Sequence, residues 1–276
     1  MVIKVGTSVL AQDGLFDRAA VDALARQITP FLKKGIHVCV VSSGAIGAGM
    51  TLLKLRKRPD QMEQLQGAAA VGQRYLMQCY EEAFSRKGYS TAQVLLTWDD
   101  LASPKRFLNA KRTLRQIHRW GVVPIVNEND TVATDEIRFG DNDRLSSLLA
   151  ILMEADVLVV LSNTDGLYLD GKRGSEAHRI KMVTGFDGSV FKHVQDKKTE
   201  VTVGGMKAKL RSVRMCVESG IPVFIADGRR PGVLKELFEG RDVGTFFMPE
   251  RKGRKGGAWL HDLVRHLGAE RERADS

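Results

Sequence analysis

The chain has 276 residues, 43% hydrophobic and 27% charged, enough apolar material for one large domain or two smaller ones. Its formal net charge is +9, but the cations are dispersed, and the densest runs, Arg56–Arg58 and Arg251–Lys255, carry no interleaved aromatics, which favours a solvated surface over a nucleic-acid footprint. Cys39, Cys79 and Cys216 are far apart, odd in number and set in apolar stretches, so they are expected as buried free thiols of a cytoplasmic protein and not as disulfides or zinc ligands.

In chain order, Val2–Val5 has strand character, and no signal-peptide pattern surrounds it, because Lys4 and Gly6 interrupt the apolar residues. Val21, Leu24, Ile28, Phe31 and Leu32 recur at helical spacing and stop at Gly35. Ile36–Val41 is a β-rich run followed by a glycine-rich turn and a further helical stretch. A long helix is predicted from about Gln61 to Lys87, and a strand over Gln93–Leu96. Ser103 and Pro104 make a cap and first-turn pair for a helix reaching Trp120. Val122–Val126 is a strand, Leu145–Met153 a helix, and Val157–Leu161 a strand apolar at every position, as a sheet covered on both faces requires. Ala208–Glu218 is a helix, Pro222–Ala226 a strand and Thr245–Met248 another. This alternation predicts an α/β fold, an α/β/α sandwich with a largely parallel central sheet. Residues 1–249 are read as one two-lobed domain and 250–276 as a basic extension, in which Trp259, Leu260, Leu263, Val264 and Leu267 are spaced for one amphipathic helix. No run approaches the roughly 20 apolar residues of a membrane span.

Four segments carry chemistry. Lys4-Val5-Gly6-Thr7-Ser8 ends the first strand with a cation, a backbone open to close approach and two hydroxyls, a set able to meet phosphates. Ser42-Ser43-Gly44-Ala45-Ile46-Gly47-Ala48-Gly49 follows the second strand. Its glycine order is GxxGxG, and no GxxxxGK[ST] occurs, so dinucleotide-binding and P-loop readings are unsupported. A tight turn needed only for packing is the competing reading there. Asn127-Glu128-Asn129-Asp130 follows a strand, with Asp141-Asn142-Asp143 close behind; ligands of open α/β sheets bind beyond the carboxyl ends of strands. Gly204-Gly205-Met206-Lys207-Ala208-Lys209 opens a helix with lysines in its first turns, a placement opposed by the helix dipole unless an anion sits there too. The six histidines lie outside these segments; His37 falls in a predicted strand and His118 in a helix, both structural positions, and no metal ligand set is identified. Lysines, glycines, carboxylates and amides suit phosphoryl transfer, which depends on positioning and charge neutralisation. A carboxylate acceptor suits them best, being ionised at neutral pH and needing no general base.

Taken together, KVGTSVL, SSGAIGAG, QGAAAVGQ, FLNAKRTL, VPIVNENDTVAT, FGDNDRLS, LSNTDGLY, GGMKAK and PGVL resemble the amino-acid kinase family over about residues 1–249, and NEND with FGDND resemble its members that phosphorylate the glutamate side chain. The resemblance implies ATP and L-glutamate meeting over the C-terminal edge of the sheet, in the first step toward proline. It implies Lys4 and Lys209 flanking the transferring group, with Asp143 holding both. It implies Ser43, Gly44 and Ala45 at the acceptor carboxylate, and Asn127, Asp130, Asp141 and Asn142 at the rest of the substrate. Gly6, Ser8, Ser162, Asn163, Asp165 and the loop Gly204, Gly205, Met206, Lys207 to Lys209 would line the nucleotide site, with Mg²⁺ held mainly by the phosphates. Lys207 and Ala208 stand where relatives commonly place one small or hydroxyl-bearing residue between the glycine pair and the lysine. The resemblance also implies inhibition by L-proline through residues 61–72 and the substrate loop, a homo-oligomer (dimer or tetramer), and a downstream glutamyl phosphate reductase. No PUA domain, the RNA-modification-type module of many relatives, is expected, and neither a nucleic-acid nor a membrane partner. Kinases of other acceptors, a non-catalytic sensor and an RNA-binding protein are the alternatives.

Overall fold

Along each central strand, consecutive side chains enter two different cores. Ile3, Val5, Val40, Val159, Leu161, Phe224 and Ala226 belong to one, and Val2, Cys39, Val41, Leu158, Val160, Val223 and Ile225 to the other. This period of two, with both sets apolar, is what a sheet buried on both faces demands. The protein was analysed as a computed structural model that describes residues 1–12, 15–133, 142–168, 179–185 and 205–249.

The strands are β1 (Val2–Val5), β2 (Ala11–Gln12), β3 (Leu15–Phe16), β4 (Cys39–Ser42), β5 (Thr91–Leu96), β6 (Val123–Glu128), β7 (Leu158–Ser162), β8 (Leu167–Tyr168), β9 (Arg179–Ile180), β10 (Met182–Val183), β11 (Val223–Asp227) and β12 (Gly244–Phe247). The helices are α1 (Arg18–Lys33), α2 (Ala45–Leu52), α3 (Met62–Ser85), α4 (Trp98–Ala102), α5 (Pro104–Arg119), α6 (Asn142–Met153), α7 (Met206–Glu218) and α8 (Val233–Phe238). Eight strands form one sheet in the order β10-β12-β11-β7-β1-β4-β6-β5. From β11 to β5 all neighbours are parallel, whereas β12 runs antiparallel to β11. Helices α1, α3 and α8 cover one face; α5, α6 and α7 cover the other. The α/β/α sandwich with a largely parallel sheet is therefore present. All three cysteines are buried and free, and no helix among the described residues is long and apolar enough to cross a membrane.

Several boundaries differ from expectation for reasons of pairing. β4 starts at Cys39, not Ile36, because Cys39 lies opposite Val2, where β1 itself begins. His37 is thus outside the strand, its ring stacked on that of His118 at 5.0 Å. β6 runs on to Glu128 because β5 pairs with it as far as Leu96. α6 starts at Asn142, three residues before its apolar pattern. Ser103 caps α5 by position, with Pro104 in the first turn, but its hydroxyl makes no cap bond. The short strands β2, β3, β8, β9 and β10 and the helices α4 and α8 carry too little periodicity to be read from sequence. The extension 250–276 and its helical spacing lie outside the described residues.

Two glycines set how closely α2 approaches α3. A Cβ on Gly49 would stand 1.8 Å from the Ala68 carbonyl oxygen, and one on Gly72 would stand 1.9 Å from that of Ala45. Gly47, on the same helix, would meet nothing within 4 Å. Gly44 precedes α2 at φ +106, a left-handed conformation that a side chain opposes. Gly49→Ala should therefore lower unfolding free energy by about 3 kcal/mol, while Gly47→Ala should leave it unchanged or raise it by up to ~1 kcal/mol. Urea denaturation of the two variants measures the contrast.

Candidate active site

Six parallel strands end on one edge of the sheet, and the backbone there is stitched across strands. Gly6 N–H donates to the Leu161 carbonyl at 3.0 Å, Ser43 N–H to Val5 at 3.0 Å, and Gly228 N–H to Ser162 at 2.9 Å. The ends of β1, β4, β7 and β11 therefore lie side by side, and they carry Lys4, Ser42, Ser162 and Asp227.

At the centre is an ion triad. Lys4 Nζ lies 2.5 Å from Asp143 Oδ1, and Lys209 Nζ lies 3.0 Å from Asp143 Oδ2. The Asp143 side chain is only 2% exposed, Lys4 5% and Lys209 13%, so each charge is held by its partners and not by bulk water. Three elements supply the three groups: β1, the first turn of α6 and the first turn of α7. The last two are locked together where the Ser147 hydroxyl donates to the Ser212 carbonyl at 2.8 Å. The Lys209 of the α7 first turn thus has its anion, a carboxylate of the protein. Burial alone would raise the Asp143 carboxyl's pKa, but the two ammonium groups and their hydrogen bonds outweigh it and hold it at about 2.

On the β4–β6 side the polar groups form a chain. The Asn142 amide nitrogen donates to the Ser43 hydroxyl at 2.9 Å, to the Ser42 carbonyl at 3.2 Å and to Asn127 Oδ1 at 3.0 Å. Asn127 Nδ2 donates onward to Gln73 Oε1 at 2.9 Å, and the Ser42 hydroxyl meets Tyr80 OH at 2.9 Å. Asp130 lies on the loop after β6; burial pushes its carboxyl up to about 6, with the Arg58 guanidinium pulling the other way. On the β7–β11 side, Ser162 is buried at its strand end, Asp165 accepts from Tyr168 OH at 2.7 Å, and Arg229 donates to the Asn163 carbonyl at 3.3 Å and to Asp227 at 2.6 Å.

Of the residues singled out in the sequence, Lys4, Asp143 and Lys209 touch one another, Ser43, Asn127 and Asn142 form the amide chain, and Gly44 and Ala45 open α2 beside Ser43. Gly6 and Ser8 follow β1 directly; Ser162, Asn163 and Asp165 lie at or just beyond the end of β7; Gly205, Met206 and Lys207 begin α7. Gly204 and Asp141 lie outside the described residues. Sequence reasoning gave no site role to Tyr80, Asp227 or Arg229, carried Gln73 only as the last residue of QGAAAVGQ, and read Arg58 as part of a solvated surface, whereas its guanidinium also acts on the Asp130 carboxyl. Gln73 had a signal: it is a polar residue on the apolar stripe of α3 that includes Leu65, Ala69, Leu76 and Tyr80. A cavity of about 950 Å³ between α1, α8 and the 228–232 loop contains none of the triad.

The sequence matches the family model described as amino acid kinase over residues 1–227. The chain belongs to the amino acid kinase family. Its curated relatives include the glutamate 5-kinases of Thermoanaerobacter sp. (strain X514), 43% identical over 91% of this chain and 68% of the relative, of Thermus thermophilus, 44% identical over 97% and 72%, and of Carboxydothermus hydrogenoformans, 44% identical over 98% and 73%. Among solved structures, UMP kinase from Ureaplasma parvum superposes with a TM-score of 0.58 at 17% identity, covering 90% of this chain and 98% of that one. UMP kinase from Bacillus anthracis gives 0.55 at 18%, covering 91% and 96%. At such identities the likeness is one of fold.

The two perturbed carboxylates have opposite signatures. Asp143 is depressed, so its stabilisation is complete above the unfolded value near 4 and fades as pH falls toward 2. Asp143→Asn should lower stability by about 3 kcal/mol at pH 7, with the gap to wild type narrowing at pH 3. Asp130 is raised, so its stabilisation is complete below about 4 and lost as pH rises through about 6. Asp130→Asn should match wild type at pH 4 and exceed it by roughly 2 kcal/mol at pH 8, after discounting for partial exposure. Denaturation curves at the named pH values measure both.

Proposed function

We propose that this chain transfers the γ-phosphoryl group of ATP to the side-chain carboxylate of L-glutamate, giving L-glutamyl 5-phosphate and ADP, the glutamate 5-kinase reaction at the entry to proline synthesis. The observation that carries this reading is the Lys4–Asp143–Lys209 triad at the strand edge, in a chain 43–44% identical to named glutamate 5-kinases. The kinase unit is residues 1–249, with the acceptor on the β4–β6 side of β1 and the nucleotide on the β7–β11 side.

The acceptor is an anion at neutral pH, so no residue has to remove a proton. What opposes reaction is the approach of a carboxylate to a polyphosphate. An ammonium group has three N–H donors, and Asp143 takes one from each lysine. Lys4 and Lys209 direct others at oxygens of the group in flight and offset the charge that develops there. Asp143 keeps the two cations together before ATP arrives, which lowers the reorganisation needed during transfer. Ser43, with the backbone at Gly44 and Ala45, meets the acceptor carboxylate. Asp130, Asp141 and the Asn127–Asn142 amides hold the α-amino end. Gly6, Ser8, Ser162, Asn163, Asp165 and the Gly204–Lys209 turn line the nucleotide. No group of three His, Cys, Asp or Glu side chains comes together as a metal site among the described residues. Mg²⁺, which the family resemblance implies, would be held mainly by the phosphates of ATP and would supply charge neutralisation there.

L-Proline shares the amino and α-carboxyl groups of glutamate, and its inhibition would act through residues 61–72, at the start of α3, and the substrate loop that follows β6, which Gln66 meets by donating to the Ala133 carbonyl at 3.3 Å. A homo-oligomer and a reductase that takes up the short-lived acyl phosphate complete this reading.

Hydroxylamine converts an acyl phosphate into a hydroxamate. Hydroxamate should form with ATP and L-glutamate but not with L-aspartate; ADP release without hydroxamate would mean another acceptor. Lys4→Ala and Lys209→Ala should each lower kcat by about 10²–10³-fold with the circular dichroism spectrum unchanged. Asp130 must be ionised to hold an ammonium group, so the KM for glutamate should climb as pH falls below about 6. Asp130→Asn should raise that KM and remove its pH dependence.

A further inference from the structure

The amide chain that starts at Ser43 does not end at the strand edge. It continues through Asn127 into α3, where Gln73 receives it. The direction of each amide is forced. The Asn142 nitrogen faces the Ser42 carbonyl and the Ser43 hydroxyl, so it is a donor toward Asn127 as well. Asn127 must then accept on Oδ1, which leaves its Nδ2 to donate, and Gln73 Oε1 is the acceptor at 2.9 Å. Asn127 is 2% exposed and Gln73 9%, so water does not substitute for either partner. Gln73 is set in place by the backbone-to-backbone approach of α2 and α3, because its neighbour Gly72 touches the Ala45 carbonyl and Gly49 of α2.

We propose that Gln73 is a positioning residue for the acceptor amino acid: it fixes the Asn127 side chain, and through it the Asn142 amide that faces Ser43. This rests on the reading of Ser43 and Asn142 as acceptor-side groups. Without an acceptor at position 73, the Asn127 NH₂ is left buried and unpaired, a condition that carries its own free-energy penalty. The relief open to it is to swing away, which withdraws Oδ1 from Asn142 and loosens the groups that face the acceptor. Asp143 follows Asn142 on α6 but is held by Lys4 and Lys209, and those lysines, β7 and β11 lie outside the Gln73–Asn127–Asn142 chain. The effect is therefore confined to one substrate.

The test is a double-mutant cycle with Gln73→Met, which keeps length and burial but removes the acceptor, and Asn127→Ala, scored by hydroxamate formation and by thermal unfolding. Wild type is assayed first: no hydroxamate from L-glutamate would overturn the kinase reading itself, separately from the role of Gln73. With wild type active, Gln73→Met should raise the KM for L-glutamate about tenfold, with the KM for ATP and kcat within twofold of wild type. Added to Asn127→Ala, where the chain is already cut, it should change the glutamate KM by less than twofold. A glutamate KM within twofold of wild type in Gln73→Met, a parallel rise in the KM for ATP, or a full additional tenfold loss in the Asn127→Ala background would each overturn the proposal. A variant that fails to fold leaves the decision to Gln73→Leu in the same cycle, read by the same criteria.

Discussion

A carboxylate at 2% exposure cannot stay ionised without compensation, and in this fold the compensation is two lysines from different parts of the chain. Lys4 arrives at the end of β1, Lys209 in the first turn of α7, and Asp143 in the first turn of α6. Much of the architecture reads as what is needed to make these three coincide. β1 occupies the middle of the sheet, with β4 on one side and β7 on the other. α6 and α7 pack through serines, Ser147 on Ser212, with Cys216 Sγ near the Ser147 carbonyl at 3.8 Å. Small side chains along that seam let the two helix starts converge on the strand end. The triad also explains why a lysine is tolerated in the first turn of a helix, where the dipole opposes it: the carboxylate offsets both.

The other half of the edge is governed by contact distance and not by charge. Gly49 and Gly72 allow α2 and α3 to touch backbone to backbone, and this brings α3 side chains within reach of the ends of β4 and β6. Gln73 reaches Asn127, Tyr80 reaches Ser42, and Gln66 reaches Ala133. One helix thus contacts three separate points at and beyond the ends of β4 and β6.

Much of this was legible in the sequence, and the rest was hidden for identifiable reasons. The strands β1, β7 and β11 are apolar along most of their length because both faces are buried, and that signal survives in a single chain. Lys4, Asp143 and Lys209 were visible as charged residues at ends of apolar elements. The competing structural reading of SSGAIGAG has support at two of its glycines: Gly44 makes the turn in a left-handed conformation and Gly49 serves helix packing. What could not be read was anything fixed by a partner element. β4 begins where β1 begins, β6 extends because β5 does, and the described part of α6 opens on Asn142 and Asp143, whose partners lie on other elements. The raised carboxyl of Asp130 comes from burial of its loop position, against the opposing pull of Arg58, and neither is visible in a linear sequence; Gln73 stands out as a polar residue on the apolar stripe of α3, but its partner is known only once the strand end opposite it is placed. Asp141 and Gly204 fall outside the described residues, so their assignments remain readings of sequence.

The reversal of β12 has a practical corollary. Gly244 pairs beside Ala226, near the edge that carries the triad, and Phe247 beside Val223, at the opposite edge. The chain after Phe247 accordingly leaves the sheet on the side away from Lys4, Asp143 and Lys209. A label attached at Met248 would therefore sit at the far edge of the sheet, with the edge that carries the charged triad left open.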